Sequence, residues 1–221
     1  MMTTDRFEHA RFNMVQQQIR PWEVLDQRVL ETLGALAREV FVPQAYKGLA
    51  YADIEIPLAH GQKMMFPKVE GRLLQALNVQ PGEKILEIGT GSGYLTACLS
   101  HLGGAVVSLD IHQDFVDSAK AALASQGFDK VELRCADALA ETIAGGPFDV
   151  IAVTGSLAEA PEEWKKLLTI GGRLFVVCDE APAMEATLIT RTGESSWHSE
   201  ALFETELMPL ENAPARNKFT F

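Results

Sequence analysis

Lys84-Ile85-Leu86-Glu87-Ile88-Gly89-Thr90-Gly91-Ser92-Gly93-Tyr94-Leu95 is the stretch around which the rest of the chain arranges itself. Its first five residues form a short apolar run with a β-branched bias, the composition of a buried strand. Three glycines at alternate positions break the run, and Tyr94 to Leu99 then has helix-compatible composition. A strand, a glycine-rich turn and a helix start together make a place where backbone can approach a ligand closely.

Downstream, the same rhythm repeats. Ala105 to Leu109 reads as a second strand ending at Asp110, and Gln113 to Gln126 as a helix stopped by Gly127. Val131 to Cys135 alternates as a third strand ending near Asp137. Phe148 to Thr154 is a fourth, followed by a helix over Glu162 to Leu168, and Gly171-Gly172 turns into a fifth strand, Leu174 to Cys178. Such alternation predicts a Rossmann-like α/β fold, a mostly parallel sheet with helices on both faces. The tail changes character: Ala186 to Thr192 and Ser196 to Leu207 read as a closing antiparallel pair around Gly193-Glu194.

Upstream, the pattern from Phe7 to about Val40 is helical. Met14, Val15 and Ile19 share a face, Arg20-Pro21-Trp22 interrupts, and Asp26 reads as the N-cap of a helix carrying Val29, Leu30, Leu33, Leu36 and Ala37. Gln44 to Pro67 has no clear period and predicts a long irregular connection, a feature that is often functional. Lys68 to Leu77 is helical again. The expectation is one domain over 1–221, with a helical and loop extension at 1–80 and an α/β core at 81–221.

Composition narrows the setting. The 221 residues are 47% hydrophobic and 22% charged, enough apolar residues for a sizeable core. Thirty acids against nineteen bases give a net charge of −11, which argues against a phosphate-gripping nucleic-acid surface. No run approaches the roughly 18–20 apolar residues of a membrane span, and the N-terminus lacks the apolar core of a signal peptide. Cys98, Cys135 and Cys178 lie in apolar segments without metal-like spacing, so they read as reduced core residues of a cytoplasmic enzyme, with no metal site expected.

In an open parallel sheet, ligands bind beyond the carboxyl ends of the strands. Three such ends here carry suitable chemistry: the Gly89–Gly93 turn, Asp110 with Ile111, and Asp137 with Ala138. Asp110 is placed for a ribose diol and Asp137 for the surroundings of an adenine amino group. Taken singly, Asp110 also reads as a helix N-cap or a solvated loop acid, and Asp137 likewise as an acid without a ligand. A dinucleotide fingerprint needs G-x-G-x-x-G, but Tyr94 and Thr96 stand where the third glycine would be in the two registers, and no Gly-Lys-Ser/Thr follows. What remains is E-x-G-x-G-x-G from Glu87 to Gly93, with an acid at the next strand end. This resembles motif I of the class I S-adenosylmethionine-dependent methyltransferases. The resemblance implies S-adenosyl-L-methionine as cofactor, held by Glu87, Gly89, Thr90, Gly91, Ser92 and Gly93 together with Asp110, Ile111, Asp137 and Ala138. A carboxylate at Glu87 would repel a pyrophosphate and favour the cofactor's ammonium and sulfonium charges.

A wider set of residues resembles the protein-L-isoaspartate O-methyltransferase family. It comprises Met14 to Arg20 (MVQQQIR), Arg38, Phe41-Val42-Pro43, Ala50-Tyr51-Ala52-Asp53, Pro57, Gly61-Gln62 and Pro67, then Pro147-Phe148-Asp149, Val153-Thr154, Gly171 to Leu174 and Leu188 to Arg191. These span about 14 to 210. The family implies repair chemistry: methyl transfer to the carboxylate of an isoaspartyl peptide or protein. One segment departs from its pattern. Where the family reads GQTIS-Q-P, this chain has Gly61-Gln62-Lys63-Met64-Met65-Phe66-Pro67, so Lys63 replaces the threonine and Met65 the serine regarded as part of the active site. Ala59 stands for the usual glycine, and Val153 to Pro161 is altered.

The expected acceptor loop is thus His60, Gln62, Lys63, Met64 and Met65, and no catalytic residue is assigned. Its acceptor is an isoaspartyl carboxylate or a small molecule with an ionisable O or N nucleophile. The remaining possibility is a protein that binds the cofactor without turnover. A carboxylate of pKa near ~4 is already ionised at neutral pH and needs no base, so catalysis reduces to positioning and water exclusion. Consistent with that, none of the five histidines belongs to a visible catalytic motif.

Overall fold

The computed structural model describes residues 2–179 and 181–214; the remaining ends of the expected 1–221 unit, and residue 180, lie outside the described residues. Helix α1 (Met2–Asn13) passes into a turn with π-helical bonding, Met14–Ile19, and a 3₁₀ turn, Arg20–Trp22. Pro21 has no N–H to continue a helix, and Met14, Val15 and Ile19 are buried as their shared face requires. Helix α2 (Gln27–Ala35) starts at Asp26, whose carboxylate accepts the Arg28 N–H at 2.8 Å. It stops before Leu36, which is already extended, and a 3₁₀ turn at Arg38–Val40 follows.

The expected irregular connection contains a 3₁₀ stretch, Gln44–Leu49, and a minimal antiparallel pair of β1 (Ile56–Pro57) and β2 (Lys63–Met64). Helix α3 (Pro67–Leu77) carries proline in its first turn, where the missing N–H costs nothing. Its Leu73, Leu74 and Leu77 are completely buried, each contributing about 2 kcal/mol.

Then the alternation begins: β3 (Lys84–Ile88), α4 (Tyr94–His101), β4 (Ala105–Asp110), α5 (Gln113–Ser125), β5 (Glu132–Cys135), β6 (Phe148–Leu157), α6 (Glu162–Lys166), β7 (Leu168–Cys178), β8 (Glu185–Gly193) and β9 (Ser196–Glu204). The seven strands lie in the order β5-β4-β3-β6-β7-β8-β9, parallel through β7 and antiparallel over β8 and β9. This is the expected Rossmann-like methyltransferase fold. Strand order reverses between β3 and β6, so the switch point lies beside the Gly89–Gly93 turn. Ile85 belongs to one apolar layer with Leu73, Leu99 and Phe175, while Leu86 and Ile88 belong to the other with Val107, Phe148 and Trp164. Arg173 ties β7 to the N-terminal region, donating to the Leu77 carbonyl from Nε at 2.8 Å and to Glu83 Oε1 from Nη1 at 2.7 Å.

Several boundaries differ from the sequence reading. Helix α6 is only five residues long, because β7 already begins at Leu168. Strand β9 ends at Glu204, so Leu207 is not part of the hairpin; the chain turns back there and pairs with β6 through Ser156 N–H to Met208 O at 2.9 Å. The cysteines do not share one environment: Cys98 is buried and Cys178 half-buried, but Cys135 is exposed, since edge strand β5 has no neighbour on its far side.

Candidate functional site

The glycine turn leaves β3 at the switch point and is built for close packing. A Cβ on Gly89 would lie 2.1 Å from Thr154 Oγ1, and its φ of +96° disfavours any side chain. Thr154 instead donates its hydroxyl to the Gly89 carbonyl at 2.7 Å. At the far end, Gly93 (φ +83°) starts α4 where a Cβ would strike Ala119. Three of the turn's N–H groups are turned inward: Gly89 and Thr90 donate to Leu109 O at 2.8 and 3.1 Å, and Gly91 donates to Asp110 Oδ2 at 2.8 Å. A phosphate nest needs such groups free and convergent, so this turn offers close backbone approach without an anion cradle.

Asp110 ends β4 with 7% exposure, its Oδ2 accepting from Gly91 and its Oδ1 accepting the His112 N–H at 3.0 Å. Burial pushes its carboxyl above the ordinary range, against the pull of those two N–H donors. Each oxygen keeps a lone pair for a further donor. Asp137 is more fully engaged: Oδ1 accepts the Leu139 N–H at 2.9 Å and Oδ2 accepts Asn212 Nδ2 at 2.8 Å.

Gly89, Gly91, Asp110, Ile111, Asp137 and Ala138 all line one cavity that is open to solvent. Thr90 and Ser92 line a smaller adjoining space, which shares Gly89, Gly91 and Thr154 with the first. Gly93 touches neither. Glu87 also stands apart, fully buried behind the turn, where Thr96 and Ser108 donate their hydroxyls to Oε2. Burial is the main reason that its pKa is pushed up to about 8, so at neutral pH it is mostly an uncharged acid. The expected attraction of cofactor charges by a Glu87 carboxylate is therefore not what the structure offers.

The loop residues form the opposite wall. Gln62, Lys63 and Met65 line the large cavity, and Lys63, Met64 and Met65 line the smaller one. Lys63 Nζ pairs with Glu55 Oε2 at 2.8 Å. Met64 and Met65 are buried at 5% and 6% exposure. Beneath Met65 lies a buried ion pair of Arg38 and Glu70, and Arg38 Nη2 donates to the Met65 carbonyl at 3.0 Å. The Arg38 guanidinium also sits over the Tyr94 ring, 4.6 Å from its centre. His60 lies outside both linings; its ring stacks on that of His112.

Residues that the sequence reading missed complete the cavity: Glu55, Leu58, His112, Thr154 and the segment from Leu207 to Glu211. Thr154 was accessible to the rule that strand ends carry ligands. The 207–211 segment was not, since it reaches the site only by folding back after β9.

Comparison with known proteins places these features. Residues 10–214 match the family model described as Protein-L-isoaspartate(D-aspartate) O-methyltransferase (PCMT). Protein-L-isoaspartate O-methyltransferase 1 of Rhodopseudomonas palustris strain HaA2 is 35% identical, over 92% of this chain and 84% of that one. The Protein-L-isoaspartate O-methyltransferase of Aeropyrum pernix is 33% identical, over 93% and 81%. Among solved structures, a Plasmodium falciparum protein assigned to the same activity and crystallised with S-adenosyl-L-homocysteine superposes with a TM-score of 0.79. The identity there is 21%, over 93% of this chain and 98% of that one, so it attests the fold.

Proposed function

Because the chain belongs to the protein-L-isoaspartate(D-aspartate) O-methyltransferase family, we propose that this S-adenosylmethionine-dependent O-methyltransferase esterifies isoaspartyl carboxylates in peptides or proteins. The observation that carries the reading is the shared cavity. Gly89, Gly91 and Asp110 form one wall and Lys63 and Met65 the other, so a cofactor and an acceptor meet between them. In this reading residues 1–80 supply the acceptor wall and 81–221 the cofactor wall of one functional unit.

The residues present suit the cofactor. Gly89 and Gly91 present backbone to the cavity, the turn offers no anion cradle, and Asp110 keeps acceptor capacity for a ribose diol. When bound, S-adenosylmethionine supplies a methyl group activated by its sulfonium charge. Asp110 holds the ribose, Gly89 to Ser92 offer backbone to the methionine part, and the walls at Ile111 and Ala138 flank the base. Asp137 shapes its wall through Leu139 and Asn212. Glu87 braces the turn from behind.

On the acceptor side, the serine position holds a buried methionine, so no hydroxyl is available there. Lys63 provides an ammonium instead, and Glu55 keeps it at the cleft. An acceptor carboxylate that displaces Glu55 from Lys63 gains a charge-assisted contact. No proton needs to be removed, since the carboxylate is ionised at neutral pH. Catalysis then rests on in-line positioning at roughly 3 Å and on water exclusion by Leu58, Met65 and the 207–211 segment.

The test is a paired assay. An isoaspartyl peptide should become a base-labile methyl ester while its normal aspartyl twin does not. Retained cofactor binding with no transfer to the isoaspartyl peptide would overturn the acceptor assignment. The apolar Met64-Met65 surface favours a second reading, a small-molecule acceptor, and turnover of a small O or N nucleophile in place of the peptide would select it.

A further inference from the structure

At the outer rim of the cleft, four ionisable side chains converge from three separate parts of the chain. His60 comes from the loop before β2, His112 and Asp114 from the start of α5, and Glu211 from the returning C-terminal segment. His60 Nε2 lies 3.0 and 2.9 Å from the two Asp114 carboxylate oxygens, and His112 Nε2 lies 2.7 Å from Glu211 Oε1. The two imidazoles are stacked with centres 3.7 Å apart and planes 6° from parallel. Ligating atoms of His60, His112 and Asp114 all fall within 4.8 Å of one another.

This arrangement is maintained against a local cost. His60 adopts φ +55° and ψ +22°, a left-handed conformation that is unfavourable for a residue with a side chain. Backbone strain of this kind persists where the surroundings require it and clusters at functional positions. His112 lines the cleft, but methyl transfer to an ionised carboxylate needs no general base from either histidine. The two imidazole nitrogens and a carboxylate oxygen of Asp114 lie close enough together for one divalent cation to bridge them. Two imidazole nitrogens with carboxylate oxygens are the donor set of zinc and its transition-metal neighbours, whereas magnesium and calcium prefer oxygen alone.

We propose that His60, His112 and Asp114, with Glu211 as fourth ligand, bind one divalent transition ion of the zinc class at the rim of the cleft. Both Nε2 lone pairs must reach the same ion, so the rings turn out of their parallel stack on binding. The side chains have room to do so, with His60 at 38% and Asp114 at 60% exposure.

The untagged full-length chain, stripped with a chelator, is titrated with zinc chloride against a chromogenic chelator. Saturable uptake of one ion per chain is expected. His60→Ala and Asp114→Ala should each weaken it by more than the roughly 10–100-fold that loss of an outer-shell partner costs, while His198→Ala on β9 leaves it unchanged. Cobalt(II) in place of zinc should give the intense visible bands of a tetrahedral site, lost in His60→Ala. Absence of saturable uptake, or uptake indifferent to both His60→Ala and Asp114→Ala, overturns the proposal. Neither cofactor nor peptide is present in this measurement, so its failure is separate from failure of the methylation assay.

Discussion

Glu87 is the residue whose part the structure alters most. Its place in E-x-G-x-G-x-G was legible, but its charge was not, because nothing local reveals that Ser108 and Thr96 will enclose it. One oxygen accepts from both hydroxyls, Ser108 at 2.6 Å, and the other is buried without a partner among the described residues. With the pKa pushed from 4.5 to about 8, the folded state binds a proton that the unfolded chain releases. Stability therefore falls as pH rises between those values, by up to about 1.4 kcal/mol per pH unit, and the penalty is absent below about pH 4.5. Glutamine matches the protonated acid in shape. Glu87→Gln should be stabilised relative to wild type at pH 8 and level with it at pH 4.5, as read by chemical denaturation across that range. Parallel pH profiles for the two proteins would show that Glu87 is ionised in the fold.

The loop that carries Lys63 and Met65 takes its position from the turn Arg38–Val40 and helix α3. Sequence reading found helix α3 and singled out Arg38 by resemblance, but it ran a helical pattern on to about Val40 where the structure has the Arg38–Val40 turn, and no local signal placed a fully buried arginine under the acceptor loop, since arginine is usually exposed. Here it contacts Glu70, the Tyr94 ring and the Met65 carbonyl at once. Burial pushes the Glu70 carboxyl up, and the Arg38 guanidinium opposes that shift. Removing one partner leaves the other charge without compensation, at about 3–5 kcal/mol, whereas replacing both with apolar groups is often close to neutral. Arg38→Met alone should lower unfolding free energy by that amount, and Arg38→Met with Glu70→Leu should recover most of it. A double variant as unstable as the sum of the singles would mean that Arg38 acts through the Met65 carbonyl and Tyr94, not through Glu70.

At the scale of the molecule, the strand–helix rhythm from Lys84 to Cys178 was readable because each element is specified by its own local periodicity. The return of the chain after Glu204 was not, because it depends on pairing with Ser156, about 50 residues upstream. That pairing completes a cavity whose lining runs from Glu55 to Glu211, so a ligand seated there contacts nearly every layer of the fold and no contact with it survives unfolding. Binding to the folded state alone adds RT ln(1 + [L]/Kd), about 2.7 kcal/mol when ligand is at 100 times Kd. For a chain of 221 residues, that corresponds to a rise in Tm of roughly 5–10 °C with S-adenosyl-L-homocysteine. Asp110→Ala removes acceptor capacity worth roughly 1–3 kcal/mol for bonds to a charged group. A tenfold loss of affinity would cut the shift at the same ligand concentration to about half. An undiminished rise in Tm for Asp110→Ala, confirmed by calorimetric titration, would remove Asp110 from the ribose site and leave it as the residue that holds Gly91 and His112 in place.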